Sequence, residues 1–407
     1  MNNKNGNAVQ IKTQDSPAAE GKIKPPVKRY VTVLAVVASV LVALGALLLI
    51  WYLGDRYPDF ENRFRQESEI PGLDDGVTPQ GACSYGGNTF VSGYFSDGTP
   101  SRIYMTDADG NTGYVTVKLE DGTSYTGHAS GIATNGSKFW LVSESTVYVL
   151  AYNDVISNAD EEGGEVEVTT SWNANCNASF CYYRNNYFYV GEFYRPGNYE
   201  TEQSHRLTTP EGDKNCALIL RYSATLTNPT VPSRAFSITD EIQGMAINSD
   251  GTRIVLSQSY AVKNSHLLVY SFSSTDTEYG TIKLTIGGKE QSVRVYYLDS
   301  ANLVADYEIP AMSEGLYSDG DRIYVLFESA GKKYRLFVRE RLNHIYSFRL
   351  RVKNRPEPKR PFKKKLYGRA APIAPPALFL CRNPCQSTLS PPSFRLSEQS
   401  ERTEKSY

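Results

Sequence analysis

Residues 243–259, Q-G-M-A-I-N-S-D-G-T-R-I-V-L-S-Q-S, decide how the chain is read. An apolar run starting at Gly244 meets Asp250-Gly251, and a second apolar run starts at Ile254. Glycine after aspartate readily takes the positive φ of a tight turn, so the stretch reads as a β-hairpin. Related hairpins lead from Gln80, Ser130, Ala178 and Glu314. The five first strands open at Gly81-Ala82-Cys83, Gly131-Ile132-Ala133, Ser179-Phe180-Cys181, Gly244-Met245-Ala246 and Gly315-Leu316-Tyr317. Turns follow the other four at Gly86-Gly87-Asn88, Asn135-Gly136, Asn185-Asn186 and Asp319-Gly320. A third strand follows each hairpin, led by Ser101, Ser145, Asn215, Ser265 or Asn343.

This recurrence, at spacings of roughly 50, 48, 65 and 71 residues, implies an all-β domain, a β-propeller in which each hairpin is the inner half of one blade. Fourth, outer strands fit at residues 114–119, 166–170, 235–238 and 304–309, which leaves the fifth blade one strand short. Glu69-Ile70-Pro71 repeats Glu308-Ile309-Pro310, so the segment from Phe64 to Ile70 is expected to complete that blade and close the ring, hiding the edge an open array would expose. Five blades are expected. Six is the alternative, because the runs from Thr281 and Ser292 around Gly287-Gly288 read as an added hairpin that could be half a blade. No helical periodicity stands out between residues 61 and 350.

Outside that domain the composition changes sharply. Residues 30–53 carry no charge and are long enough for one transmembrane helix. Lys22, Lys24, Lys28 and Arg29 precede the run while Asp55, Asp59 and Glu61 follow it, so the positive-inside rule puts residues 1–29 in the cytoplasm and the rest outside the cell membrane. A short stalk, residues 54–60, leads to the extracellular propeller at 61–350. The first 29 residues carry about +4, the last 57 about +9 and the middle roughly −14, and that acidity argues against a nucleic-acid partner. Residues 351–407 are basic, then rich in proline and serine, and read as a disordered tail or as the product of a frameshift.

In a propeller, the start of the first strand and the end of the second share the face beside the central channel. The ligand-binding candidates on that face are Gln80, His128, Asn177, Glu192, Tyr194, Gln243, Gln258, Glu314 and Glu328. Such a ring can bind a polar ligand, chelate Ca²⁺ through Glu314 and Asn177, or simply hold loop backbone around a watery channel. His128 is the one candidate general base. Cys176 and Cys216 fall on the same face, where a disulfide is chemically allowed outside the cell. No nucleophile elbow, phosphate loop or zinc-binding motif is present.

The anchor followed by I-P-G-L (Ile70 to Leu73), P-Q-G (Pro79 to Gly81), S-G-Y (Ser92 to Tyr94), S-R-I-Y (Ser101 to Tyr104) and G-H-A-S-G-I-A (Gly127 to Ala133) looks like uncharacterised membrane-anchored β-propeller proteins of Gram-positive bacteria. More distantly, Gln80-Gly81 and Glu314-Gly315 resemble strand starts of gluconolactonase-type calcium propellers. The latter resemblance implies a calcium-dependent lactonase or esterase with six blades. The expectation drawn from the residues is instead a membrane-tethered, non-enzymatic binding module for an envelope glycan, peptide or protein, with the hydrolase as the alternative.

Overall fold

A computed structural model describes residues 27–53, 57–226, 229–275 and 277–350. Most of the expected N-terminal tail, the first three residues of the stalk and all of the 351–407 tail lie outside these residues. Helix α1 (Val27–Leu53) contains a stretch, Tyr30–Ile50, long and apolar enough to cross a membrane, and its side chains are exposed throughout that stretch. At 1.5 Å per residue α1 is about 40 Å long, more than the hydrocarbon thickness of a bilayer.

The one-turn helix α2 (Pro58–Arg63) has proline at its start, acids in its first turn and Arg63 in its last, in line with the helix dipole. Its Phe60 is buried against Phe64, Phe327 and Tyr346, with ring centroids 4.7, 5.9 and 4.9 Å away. The chain is thereby fastened to the sheets seven residues after the end of α1.

Strand β1 (Arg65–Glu69) precedes five antiparallel units. The first runs β2 (Thr78–Tyr85), β3 (Asn88–Tyr94), β4 (Arg102–Thr106), β5 (Thr112–Lys118). In the second, β6 (Gly131–Thr134) pairs with β7 (Lys138–Ala151). Strand β7 doubles back at Glu144, whose φ is 54°, and the Tyr152 amide donates to the Ser137 carbonyl across the fold. A short helix not foreseen in the periodicity, α3 (Tyr152–Asn158), then leads to β8 (Gly164–Glu167). This strand adds in parallel to β5, with Val115 opposite Gly164, so the outer strand expected at 166–170 belongs in part to the preceding unit. Val166 is buried there with Val115 and Val117. The second unit takes its fourth strand from the start of β9 (Thr170–Arg184), where Thr170 lies opposite Val149.

The rest of β9 opens the third unit, followed by β10 (Tyr187–Glu192). A long connection carries the two-residue strands β11 (Leu207–Thr208) and β12 (Lys214–Asn215) before β13 (Ala217–Ser223) and β14 (Arg234–Ile238). The fourth unit is β15 (Ile242–Ile247), β16 (Arg253–Gln258), β17 (Ser265–Ser271) and β20 (Leu303–Ile309). Between its last two strands the chain makes the added hairpin, β18 (Tyr279–Ile286) and β19 (Lys289–Tyr297), and sends it back to the third unit, where β19 lies parallel to β14. Ile282, Leu284 and Ile286 are buried while the residues between them are exposed, the period-two pattern of a half-covered strand. The fifth unit is β21 (Ser313–Asp319), β22 (Arg322–Phe327) and β23 (His344–Arg349), with β1 paired antiparallel to β23 so that Glu69 faces His344.

Consecutive up-and-down sheets of this kind, packed through their first strands, are β-propeller architecture. The first strands touch in cyclic order, and glycine sets their separation. A Cβ on Gly81 would lie 2.8 Å from the Gly131 Cα, and one on Gly131 2.8 Å from the Phe180 Cα. One on Gly244 would lie 2.6 Å from the Glu314 carbonyl oxygen, and one on Gly315 2.8 Å from the Ala82 nitrogen. Between the third and fourth units the Tyr182 hydroxyl donates to the Ile247 carbonyl.

Because the crowding partners are backbone, Gly81→Ala and Gly315→Ala should each lower unfolding stability by about 1–3 kcal/mol. Urea denaturation measures this; wild-type stability in both variants would show that the strands do not approach as described.

Candidate functional site

The polar residue ahead of three of these glycines is displaced by a slip in strand pairing. Pro79 pairs with Gly93 but Gly81 with Ser92; Ile242 pairs with Gln258 but Gly244 with Ser257; Ser313 pairs with Phe327 but Leu316 with Val325. Each slip inserts one extra residue, a β-bulge, and a bulge re-aims side chains at the end of a sheet. The segments involved carry Gln80, Gln243 and Glu314. Left-handed residues just upstream, Glu241 (φ 62°) and Met312 (φ 67°), help pin two of these ends, since their carbonyls accept the Ser259 and Glu328 amides.

These bulges gather four side chains. Gln80 Nε2 donates to Glu328 Oε2 at 3.0 Å, and Gln243 Nε2 donates to Glu314 Oε1 at 3.3 Å. Gln80, Glu314 and Glu328 are respectively 6, 3 and 8% exposed. Burial raises the pKa of Glu314 well above the ordinary carboxyl range, and the charge and hydrogen bond of Glu328 raise it further. Burial also raises Glu328, to about 7, against the opposing hydrogen bonds from Gln80 and Glu314 and the Lys333 charge. Two carboxyls this close and this dry cannot readily both ionise, so the pair holds a proton near neutral pH.

An aromatic wall adjoins the pair. Tyr94 stacks on His128 with centroids 4.1 Å apart, and Lys333 Nζ donates to the Tyr94 hydroxyl at 2.7 Å. His128 keeps part of its surface open to solvent, but crowding of the ring, stacked on Tyr94, and then the Lys333 charge hold it below its ordinary pKa. Burial, followed by the charge of Glu328, pushes the Tyr334 hydroxyl up. Lys333 and Tyr334 were not among the sequence candidates. They lie in the connection between β22 and β23, whose sequence does not repeat in the corresponding connections, and only the K-K-Y run marks them.

The remaining candidates form other environments. Glu192 is 1% exposed and structural in its contacts: it bonds His205 Nδ1 at 2.9 Å and accepts the Leu218 and Asn177 amides at 3.0 and 3.4 Å. His205, itself buried, thus ties the long connection of the third unit to its sheet. The Asn177 side chain is exposed beside this group, whereas Glu314 belongs with Gln243 and Glu328. Tyr194 is buried under Arg206, whose guanidinium carbon is 5.0 Å from the ring centre. Gln258 donates to the Asp240 carbonyl at 2.9 Å.

Cys176 and Cys216 are free thiols rather than a disulfide. Cys216 hydrogen-bonds to the Asp240 carboxylate, while Cys176 is buried where desolvation and the Glu192 charge raise its pKa. Among the described residues, no group of three or more His, Cys, Asp and Glu side chains is placed to hold a metal ion. The available oxygen donors are the Glu314–Glu328 pair and the two carboxamides.

No protein-family profile and no curated protein matches the sequence. Solved structures similar in fold include a luciferin-regenerating enzyme, 10% identical over 70% of this chain and 95% of that one with a TM-score of 0.35. The WD40 β-propeller domain of Doa1 is 9% identical over 70% of this chain and 97% of that one, with a TM-score of 0.32. The Dos1 propeller is 12% identical over 63% and 56%, with a TM-score of 0.28.

The raised carboxyl values give a pH signature. A glutamate more readily protonated in the folded than in the unfolded state stabilises the fold at low pH. That contribution is lost as pH rises from the ordinary value of 4.5 through about 7. The thermal midpoint should therefore fall across this window, and Glu328→Gln should flatten the dependence by removing the partner charge. An unchanged slope in that variant would contradict the proton-sharing pair.

Proposed function

We propose that the chain is a single-pass, membrane-tethered propeller of five blades, closed by β1, whose channel face recognises a hydroxyl-rich ligand of the cell envelope, a glycan in the first instance. Pairing of β1 with β23 and the cyclic contact of five first strands support the ring. The return of the β18–β19 hairpin to the third unit supports counting five blades rather than six. The apolar span of α1, with basic residues before it and acidic ones after it, supports a cytoplasmic N-terminus and an extracellular domain.

The observation that carries the functional reading is the buried Glu314–Glu328 pair between Gln80 and Gln243, beside the Tyr94–His128 stack. Carboxyl and carboxamide groups together offer donors and acceptors to hydroxyls, and flat ring faces offer apolar contact. A peptide or protein ligand would use the same groups through its backbone amides.

The calcium-dependent hydrolase is the second reading, with Glu314 as a metal ligand and His128 as base. His128 does lie beside the candidate cluster, but its ring stacks on Tyr94 under the charge of Lys333, and among the described residues no carboxylate is seen hydrogen-bonded to it.

Binding of the purified full chain to fractionated envelope glycans, followed by titration of the best fraction, tests the proposal. Gln243→Ala and Glu314→Ala should each weaken affinity by about tenfold or more, the scale of a lost hydrogen bond to a charged group. Unchanged affinity in both would refute this binding face. Calcium-dependent turnover of lactones or esters that is lost in His128→Ala would favour the hydrolase.

A further inference from the structure

We infer that the connection between β22 and β23 is a membrane-docking element that seats the site-bearing end of the domain on the leaflet from which α1 emerges. Residues 332–341, K-K-Y-R-L-F-V-R-E-R, set five basic side chains and one acid around an apolar tip. Leu336 and Phe337 are 81 and 72% exposed, and Val262, on the connection after β16, is 55% exposed. Large apolar side chains this open, grouped and flanked by cations, fit the interface of an anionic bilayer, where apolar tips enter the acyl boundary and basic residues meet headgroups.

Position on the chain selects the membrane as occupant. Phe337, Val262 and Tyr57 line one groove. Tyr57 is fixed to the domain, its hydroxyl donating to Asn264 Oδ1 at 2.8 Å, and it adjoins α2 with the buried Phe60. It follows Leu53, the last residue of α1, by only four positions, a reach of about 14 Å at full extension. An apolar tip beside Tyr57 is therefore tethered within about 14 Å of the end of α1, and so close to the membrane surface if α1 spans the bilayer as proposed above. The connections after β16 and β22 leave the same end of their hairpins as Gln258 and Glu328. Lys333, in the same connection as the tip, also bonds Tyr94, so docking would bring the carboxyl pair and its aromatic wall close to the lipid surface.

The test is tryptophan quenching in the full chain reconstituted into phosphatidylcholine–phosphatidylglycerol vesicles. Phe337→Trp is compared with Leu226→Trp, an exposed position just beyond β13 at the other end of the sheets. Lipids brominated in the acyl chains should quench Phe337→Trp more than either Leu226→Trp or wild type. The excess should shrink in vesicles of phosphatidylcholine alone and after Lys332→Glu with Arg335→Glu. Equal quenching of the two tryptophan variants in protein that floats with the vesicles would overturn docking while leaving the anchor intact. Failure of the wild-type chain to float would overturn the anchor, and the inference with it.

Discussion

Close approach of backbone to backbone at the centre of the domain is the constraint on which the rest depends. Gly81, Gly131, Gly244 and Gly315 stand where a neighbouring first strand leaves no space for a Cβ. Once the first strands are that close, the outer strands must fan apart, and the gaps between sheets fill with large side chains. Phe236, Met245, Val255 and Leu268 belong to one such buried cluster. Full burial of each contributes about 1.5–3 kcal/mol, so the small residues at the axis are what allow the large ones outside it to pack.

The same geometry generates the candidate site. A bulge before three of the first-strand glycines turns a polar residue toward the end of the sheets, and in the fifth unit that segment carries a glutamate whose neighbour across the hairpin end is a second glutamate. Burying two carboxyls costs stability unless they share a proton and are hydrogen-bonded, and Gln80 and Gln243 supply those bonds. A site of this kind is polar while carrying less charge than two free carboxylates would. The Glu192–His205 pair uses similar groups for a different end, because backbone amides and a buried imidazole saturate it.

Much of this was legible in the residues. The glycine positions, the Asp-Gly and Asn-Gly turns and the echo of Glu308-Ile309-Pro310 at Glu69 are local signals, and local signals survive without coordinates. What could not be read is which edge a strand joins. Val166 in β8 and Val295 in β19 present the same alternating pattern to either adjacent sheet, and only packing chooses between them. Partners brought in by loops were equally hidden: His205 is thirteen residues from Glu192, and Lys333 reaches Tyr94 across most of the sequence. The disulfide expected between Cys176 and Cys216 shows the converse, since a shared face did not bring the two thiols together.

Closure of the ring by β1 is the claim on which both the blade count and the position of the site depend. Cross-linking tests it most directly: in the full chain, Glu69→Cys with His344→Cys places two thiols at paired positions of β1 and β23, within the Cα separation a disulfide tolerates. The account predicts rapid formation of that bridge under mild oxidation, mapped by peptide mass analysis, with the folded state retained. Absence of the bridge in folded protein, or equal cross-linking when Glu69→Cys is paired with a cysteine on β5, would contradict it.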